Sequence, residues 1–142
     1  RAGPVRLMVI DSSALVAILL GDPDYPRLQG AIEADAVRLV SSVTKLESSM
    51  MIAGRFGEQG AVELQNLLTF IGATIVPFDE RQADIARAAL LRYGKRRHRA
   101  GLNVGDCAAY ALAIAEAEPL LFTGTNFAAT DVDCVPLGPA EE

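Results

Sequence analysis

The sequence predicts an α/β protein with three layers, in which helices cover both faces of a central parallel sheet of four or five strands. Short apolar runs alternate with helical patterns along the chain. Strands separated by helices are joined by crossovers and run parallel to one another. The 142 residues are enough for one domain, which buries roughly 70% of the surface of its unfolded chain.

Five apolar segments have the composition of strands. The first ends directly before Asp11, and the third is rich in β-branched residues. Runs of this length, bounded by turn residues, are typical of strands in a buried sheet. The predicted strands cover residues 5–10, 37–41, 73–78, 120–123 and 132–135, the last of them as an edge strand.

Six segments between these strands have helical periodicity and recognisable ends. Gly21 ends the first helix, Gly57 separates the third from the fourth, and Pro119 closes the Ala-rich sixth. After a turn at residues 22–26, the second helix runs to about residue 35. The other predicted helices cover residues 12–20, 44–56, 58–71, 80–93 and 104–117, and a polar loop covers 95–102.

The composition fits a single domain that does not span a membrane. Hydrophobic residues make up 51% of the chain. No apolar run reaches the roughly 18 residues of a membrane-spanning helix, and no secretory signal is evident, so we expect a cytoplasmic protein. We place the domain at residues 8–137 and a C-terminal tail at 138–142. Residues 1–7 are either a remnant of cloning or an N-terminal extension.

The number of cysteines and histidines and the net charge argue against two kinds of site. Cys107, Cys134 and the single histidine, His98, are too few and wrongly spaced for a structural zinc site. We expect both cysteines to be buried and reduced. The net charge of −5 argues against broad affinity for nucleic acid.

Three acidic residues lie at predicted helix starts. Asp11 opens the first helix, while Glu47 and Asp106 each stand three positions after a candidate N-cap, Thr44 and Asn103 respectively. One interpretation is structural, because an acid at these positions completes a capping box or complements the helix dipole. For any one acid alone, this is the simpler explanation.

Taken together, the three acids favour a metal site. Helix N-termini gather at the carboxyl ends of the strands in a doubly wound sheet. Two carboxylates about 4 Å apart repel by roughly 4 kcal/mol at an effective dielectric constant of about 20, so three in one cleft need a cation or shifted pKa values. Carboxylate oxygens suit Mg²⁺ or Mn²⁺, and such ions activate water and neutralise a phosphodiester.

Four segments of the chain resemble the PIN domain of VapC-type toxins. The resemblance covers nearly the whole chain, and its most specific part is the order of the three acids together with L-N-x-G-D-C before LLF-x-G. The segments are MVIDSSALVAIL from Met8, SSVTKLESSMMI from Ser41, RAGLNVGDCAAYALA from Arg99 and PLLFTGTNFAATDV from Pro119.

This resemblance implies a metal-dependent endoribonuclease, the toxin of a toxin–antitoxin module, which hydrolyses RNA with a metal-activated water. Asp11, Glu47 and Asp106 match the family's catalytic and metal-binding acids, with Mg²⁺ or Mn²⁺ as cofactor. The implied partners are RNA, a VapB-type antitoxin and a second copy of the chain in a homodimer. We expect the apolar helices between residues 12 and 56 to receive a helical antitoxin segment.

The resemblance also suggests supporting residues and shows one departure. The family's D-[ST]-[ST] pattern suggests that Ser13 orients Asp11; alternatively, Ser12 or Ser13 only caps the first helix. Thr123 is a similar candidate.

The family often has a fourth acid in a G-x-D-F-like turn, where this chain has Asn126 after Thr125. Either side chain would bind a metal-bound water, and the number of metals stays open. We assign the two acids at 131 and 133 to a solvated turn.

One basic segment stands out in this acidic chain, since it leads directly towards Asp106. It either forms a solvated loop, holds RNA phosphates beside the metal, or docks acidic residues of an antitoxin. Its members are Arg92, Lys95, Arg96, Arg97 and Arg99.

Three other functions fit less well or remain open. A haloacid-dehalogenase-like phosphatase needs a second Asp two positions after the first, where this chain has Ser13. A two-component receiver domain needs paired acids after its first strand, where Asp11 stands alone. The remaining alternative is a PIN-fold protein that binds RNA or a partner with weak or no nuclease activity, because the fourth acid is missing.

Overall fold

A parallel four-stranded sheet forms the centre of the protein in a computed structural model that describes residues 6–138. The strands are β1 (Leu7–Ile10), β2 (Val37–Ser41), β3 (Thr74–Val76) and β4 (Leu120–Leu121). Their order in the sheet is β3-β2-β1-β4, so β1 and β2 are the inner strands. The expected start of the first strand at residue 5 lies outside the described residues.

Six helices cover the two faces of this sheet, as expected for a three-layer α/β fold. They are α1 (Ser12–Leu19), α2 (Tyr25–Ala34), α3 (Ser42–Phe56), α4 (Gln59–Phe70), α5 (Glu80–Tyr93) and α6 (Val104–Glu116), followed by a 3₁₀ turn at Phe127–Ala129. Side chains alternate across β1. Val9 packs in one core with α5 and α6, while Met8 and Ile10 pack in the other with α1, α2 and α4.

The predicted fifth strand at residues 132–135 is wrong. This segment makes one isolated bridge to β4, between Leu120 and Cys134. The two backbone hydrogen bonds beside it both belong to Leu120, whose N–H donates to Asp133 O and whose O accepts from Val135 N. Because β4 has only two residues, it offers too short an edge for a longer ladder.

The start of α3 also differs from the prediction. Ser41, the last residue of β2, is the N-cap, and its hydroxyl accepts a hydrogen bond from Val43 N. The helix therefore begins directly after the strand, and Glu47 lies in its second turn. The predicted capping box between Thr44 and Glu47 is wrong, because the earlier serine already caps the helix and Thr44 is buried inside it.

The topology places the end of β1 where a ligand crevice is expected. From β1 the chain proceeds outward to β2 and β3, and only later returns to add β4 on the other side. Ligands of open α/β sheets bind at this kind of reversal, outside the carboxyl ends of the strands. Asp11 follows β1 directly and Thr123 lies two residues after β4.

Two further expectations concern membranes and cysteines. No helix within residues 6–138 is long and apolar enough to cross a bilayer. Both cysteines are free, and Cys107 is buried as expected. Cys134 is exposed, which corrects the expectation that it is buried. It lies in the isolated bridge at the sheet edge, outside the named strands.

Candidate active site

Asp11 lies at the junction of β1 and α1 and is almost fully buried, with 1% of its surface exposed. It is the N-cap of α1, and its Oδ2 accepts a hydrogen bond from Ser13 N at 3.0 Å. Its Oδ1 is buried without a hydrogen-bond partner among the described residues. Unsatisfied buried polar atoms are rare and point to a missing water, ion or ligand.

The surroundings of Asp11 disfavour its charge. Burial raises the pKa of its carboxyl group from an ordinary 3.8 to about 6, and the hydrogen bonds from Ser13 oppose this change. The negative charges of Asp106 and Glu47 raise this pKa slightly further. The three acids predicted from the sequence are therefore close enough to interact electrostatically.

Glu47 reaches across from α3 to the starts of two other helices. Its Oε1 accepts a hydrogen bond from Ser12 Oγ, in the first turn of α1, at 2.6 Å. The same carboxylate lies against Gly105 in the first turn of α6, where any side chain would overlap it. Glu47 thus stands between the residue that follows Asp11 and the residue that precedes Asp106.

Asp106 combines a structural role with its place near the other acids. It forms a capping box with Asn103: Asp106 N donates to Asn103 Oδ1 at 2.8 Å, and Asn103 N donates to Asp106 Oδ2 at 3.0 Å. Burial raises its pKa above the ordinary 3.8, while the Asn103 hydrogen bond and the charge of Lys95 lower it. The predicted capping box at this helix is confirmed.

The donor set fits a divalent cation, although the three carboxylates face protein donors in this structure. Within residues 6–138, no three acidic, histidine or cysteine side chains are already grouped as a metal cluster. In each of the three acids, one carboxylate oxygen accepts the hydrogen bond described above. The other carboxylate oxygen takes no part in that hydrogen bond. The unpartnered Oδ1 of Asp11 is the atom that a cation would satisfy best.

The predicted supporting residues lie at different distances from this centre. Ser13 contacts Asp11 directly, and its hydroxyl accepts a hydrogen bond from Thr123 N at 3.0 Å, which ties α1 to the end of β4. Thr123 contributes through its main chain. Asn126 is exposed in the turn before the 3₁₀ segment, and its side chain does not cap that segment. Asp131 and Asp133 are exposed, as expected for a solvated turn, and Asp131 accepts a hydrogen bond from Tyr110 Oη.

The basic segment forms an exposed turn between α5 and α6. Lys95 is close enough to Asp106 to lower the pKa of that carboxyl group, so the turn lies beside the third acid. Arg92 differs from the others, because its guanidinium stands 4.7 Å from the centre of the Tyr93 ring and 3.9 Å from Asp131 Oδ2. The exposed members of the turn are Lys95, Arg96, Arg97 and Arg99.

Two residues in contact with Glu47 were missed by the sequence reasoning. Ser12 was considered only as a helix cap, and Gly105 was not considered. A glycine in the first turn of a helix is a weak signal of close approach, because it destabilises a helix relative to alanine. Nothing local indicates which group approaches it.

Comparisons with known proteins agree with the fold and show the family to which the chain belongs. The profile of the PIN domain family matches residues 8–133. Ribonuclease VapC of Mycolicibacterium smegmatis is 52% identical over 128 residues, covering 90% of this chain and 99% of that protein. Ribonuclease VapC30 of Mycobacterium tuberculosis is 50% identical over 130 residues, covering 92% and 99%.

A solved structure supports the fold at low sequence identity. VapC20 of Mycobacterium tuberculosis, a toxin that cleaves the sarcin–ricin loop, superposes with a TM-score of 0.73 at 15% identity. The match covers 88% of this chain and 95% of that one.

Proposed function

Because this chain belongs to the PIN domain family and is a ribonuclease of the VapC type, we propose that Asp11, Glu47 and Asp106 form its divalent-metal site. It is the toxin of a toxin–antitoxin module, with RNA as substrate and a VapB antitoxin as partner. Its activity depends on a divalent metal, which we propose to be Mg²⁺ or Mn²⁺. We assign the domain to residues 8–137 and the protein to the cytoplasm.

The observation that carries this proposal is the buried, unpartnered Oδ1 of Asp11 beside two further acids. An isolated carboxylate in this position would be protonated or paired. Asp11 has neither a lysine nor an arginine among the causes of its pKa change. A bound cation supplies the missing positive charge and favours the ionised carboxylate.

The residues of the proposed site have two roles, as metal ligands and as residues that support those ligands. Asp11, Glu47 and Asp106 would hold the cation, which when bound activates water and neutralises charge on the phosphodiester. Ser13 keeps Asp11 in place, because its N–H donates to Asp11 Oδ2 and its hydroxyl accepts a hydrogen bond from Thr123 N. Asn126 is exposed in the turn after β4, and we propose that it would bind a metal-bound water. These supports hold the ligands in a fixed orientation, as outer-shell partners do in metalloproteins.

The basic turn is our candidate for RNA binding. Lys95, Arg96, Arg97 and Arg99 are exposed, and the effect of Lys95 on Asp106 indicates that the turn adjoins the acids. Cationic side chains at this position would contact phosphates on either side of the scissile one. Arg92 belongs to the same segment, but its guanidinium already interacts with Asp131 and Tyr93.

An apolar groove beside Glu47 is our candidate for antitoxin binding. The groove has a volume of about 320 Å³ and is lined by Val43, Leu46, Met50 and Met51 together with Glu47 and Gly105. Leu46 and Met50 expose 62% and 68% of their surface. A helical segment with apolar anchors would cover these side chains, and a basic residue on it would be drawn to the acids. We also propose a two-fold homodimer.

Cleavage assays test the metal site directly. We expect the protein to cut RNA with Mg²⁺ or Mn²⁺, to lose activity in EDTA, and to regain it when metal is restored. A protein that binds RNA but does not cut it under any of these conditions would support the alternative of a PIN-fold binding protein without nuclease activity.

A further inference from the structure

We propose that Ser12 and Gly105 are positioning residues that hold the carboxylate of Glu47 between the first turns of α1 and α6. Ser12 does so by donating a hydrogen bond, and Gly105 by having no side chain. This inference rests on the metal site proposed above, and it assigns a role to two residues that are not themselves metal ligands.

Ser12 anchors one side of the carboxylate. Its hydroxyl donates to Glu47 Oε1 at 2.6 Å, and only 4% of its surface is exposed. A hydrogen bond to an ionised acceptor is stronger than one between neutral groups. The contact joins residues 35 positions apart in sequence, and Ser12 directly follows Asp11. The bond therefore fixes Glu47 relative to the first acid.

Gly105 makes room on the other side. A Cβ at this position would overlap the carboxyl carbon and both carboxyl oxygens of Glu47. The backbone at Gly105 has no positive φ, so an alanine would suit its helical conformation. Alanine is also the better helix former. A Cβ at position 105 would therefore displace the Glu47 carboxylate, the mobile end of a flexible side chain, from its place beside Ser12 and next to Asp106.

The other glycines of the described helices show that this contact is unusual. Gly30 and Gly54 have no atom within 4 Å of an added Cβ, and at Gly60 the nearest atom belongs to the side chain of Ile52. Only at Gly105, among the described glycines, would the added atom meet an acidic side chain. Gly54 lies exposed in α3, so Gly54→Ala is a matched control for Gly105→Ala.

The first test measures Mn²⁺ binding to the RNA-free protein, from the electron paramagnetic resonance signal of free Mn²⁺. We expect Ser12→Ala and Gly105→Ala each to weaken binding by roughly 10- to 100-fold, as is common when a residue that supports a metal ligand is lost. Ser12→Thr, which keeps the hydroxyl, should bind more tightly than Ser12→Ala. Gly54→Ala should bind like the wild type.

A double-mutant cycle then shows whether Gly105 acts through Glu47. If it does, Gly105→Ala should weaken Mn²⁺ binding in the wild-type background and have no further effect in Glu47→Ala. Equal losses in both backgrounds, or wild-type binding by Gly105→Ala, would overturn the inference.

Thermal unfolding in EDTA tests the positioning independently of metal. Gly105→Ala should raise the melting temperature less in the wild-type background, where the Glu47 carboxylate must shift and lose its bond to Ser12, than in Glu47→Ala, where the space is free. Equal changes in the two backgrounds would refute the positioning role. If this pattern holds but the wild type binds no Mn²⁺, the metal site is refuted while the packing of Glu47 against Gly105 stands.

Discussion

Asp11 shows how one residue can be both structurally useful and energetically costly. As an N-cap it accepts a hydrogen bond from Ser13 N and helps α1 to begin directly after β1. As a buried carboxylate it has an oxygen without a partner and a raised pKa. A neutral asparagine would keep the first property and remove the cost of burying a charge.

We predict that Asp11→Asn abolishes RNA cleavage and stabilises the metal-free protein. Above about pH 6 the wild-type carboxylate is ionised in both the folded and the unfolded state, and the folded state bears the full cost of burial. A pKa raised from 3.8 to about 6 corresponds to about 2–3 kcal/mol. Between about pH 6 and 4 the folded state takes up a proton, so the difference from the asparagine variant should shrink and then disappear.

Urea unfolding in EDTA, at several values between pH 7.5 and pH 4, measures this difference. Asp133→Asn, which neutralises an exposed acid, serves as the control and should change neither activity nor stability appreciably. A free-energy difference for Asp11→Asn that does not vary with pH would show that the carboxyl group is not held in a charge-disfavouring environment.

The first turn of α6 serves two purposes at once. Asn103 and Asp106 cap each other's backbone N–H groups, which stabilises the helix. The same turn presents Asp106 to the other acids and leaves the space at Gly105 for Glu47. Capping and metal binding are therefore not competing explanations for Asp106, because its two oxygens can serve different partners.

We predict that Asn103→Ala lowers the free energy of unfolding by about 1 kcal/mol, since it removes the N-cap acceptor of Asp106 N. Asn103→Ser should retain most of the stability, because serine is also a good N-cap. Chemical denaturation of the two variants gives the comparison. If alanine and serine were equally destabilising, the loss would come from packing and not from the cap.

The exposed turn between α5 and α6 is our candidate for RNA binding, and we expect its positive charge to attract the phosphates. We predict that replacing Arg96, Arg97 and Arg99 by glutamine weakens RNA binding and flattens its dependence on salt. Each lost phosphate contact removes about 0.7 from the slope of log K against log salt for a single strand, or about two units for three contacts. Binding is measured in the Asp11→Asn background, which prevents cleavage.

A second triple variant controls for the change in net charge. Arg55, Arg81 and Arg87 are exposed on α3 and α5, and replacing them by glutamine removes the same charge elsewhere. This variant should keep a slope close to that of the parent protein. If both triple variants lower the slope equally, RNA responds to the overall charge of the protein and not to the turn.

Exposed large apolar side chains form two patches on the described part of the protein. One patch follows α3 beside Glu47, and another surrounds Phe70 at the end of α4, with 78% of that side chain exposed. Extended apolar patches on soluble proteins commonly mark interaction sites. The first patch includes Glu47, so a partner bound there would contact this acid.

We predict that Met50→Glu abolishes binding of the antitoxin without unfolding the protein, because Met50 is exposed in the groove and the new charge would be buried by the partner. Phe70→Glu introduces the same charge in the other patch. Light scattering of each variant, alone and with antitoxin, reports both the homodimer and the complex. Loss of the complex in Phe70→Glu but not in Met50→Glu would move the antitoxin site to α4.

Most of the fold follows from local patterns in the sequence. The α5 bounds and the β2 bounds agree with their predictions, because helical periodicity and strand composition are both short-range signals. The prediction for the start of α3 was wrong because two candidate N-caps lie close together in the sequence. Ser41 and Thr44 are both good caps, and only the direct passage from β2 into α3 selects Ser41. The segment at 132–135 has the composition of a strand, but the length of β4 limits its pairing.

For the site, the sequence predicts Asp11, Glu47 and Asp106, since each stands at or near a helix start and matches the PIN pattern. The contacts of Glu47 with Ser12 and Gly105 depend on the tertiary structure. Glu47 meets Ser12 and Gly105 because strand order brings the first turns of α1 and α6 to the same end of the sheet, where α3 packs on both. A hydrogen bond or a close approach between distant segments leaves no local trace in composition or periodicity. The position of the Glu47 carboxylate is therefore a property of how three helices pack, and no one segment of the chain specifies it.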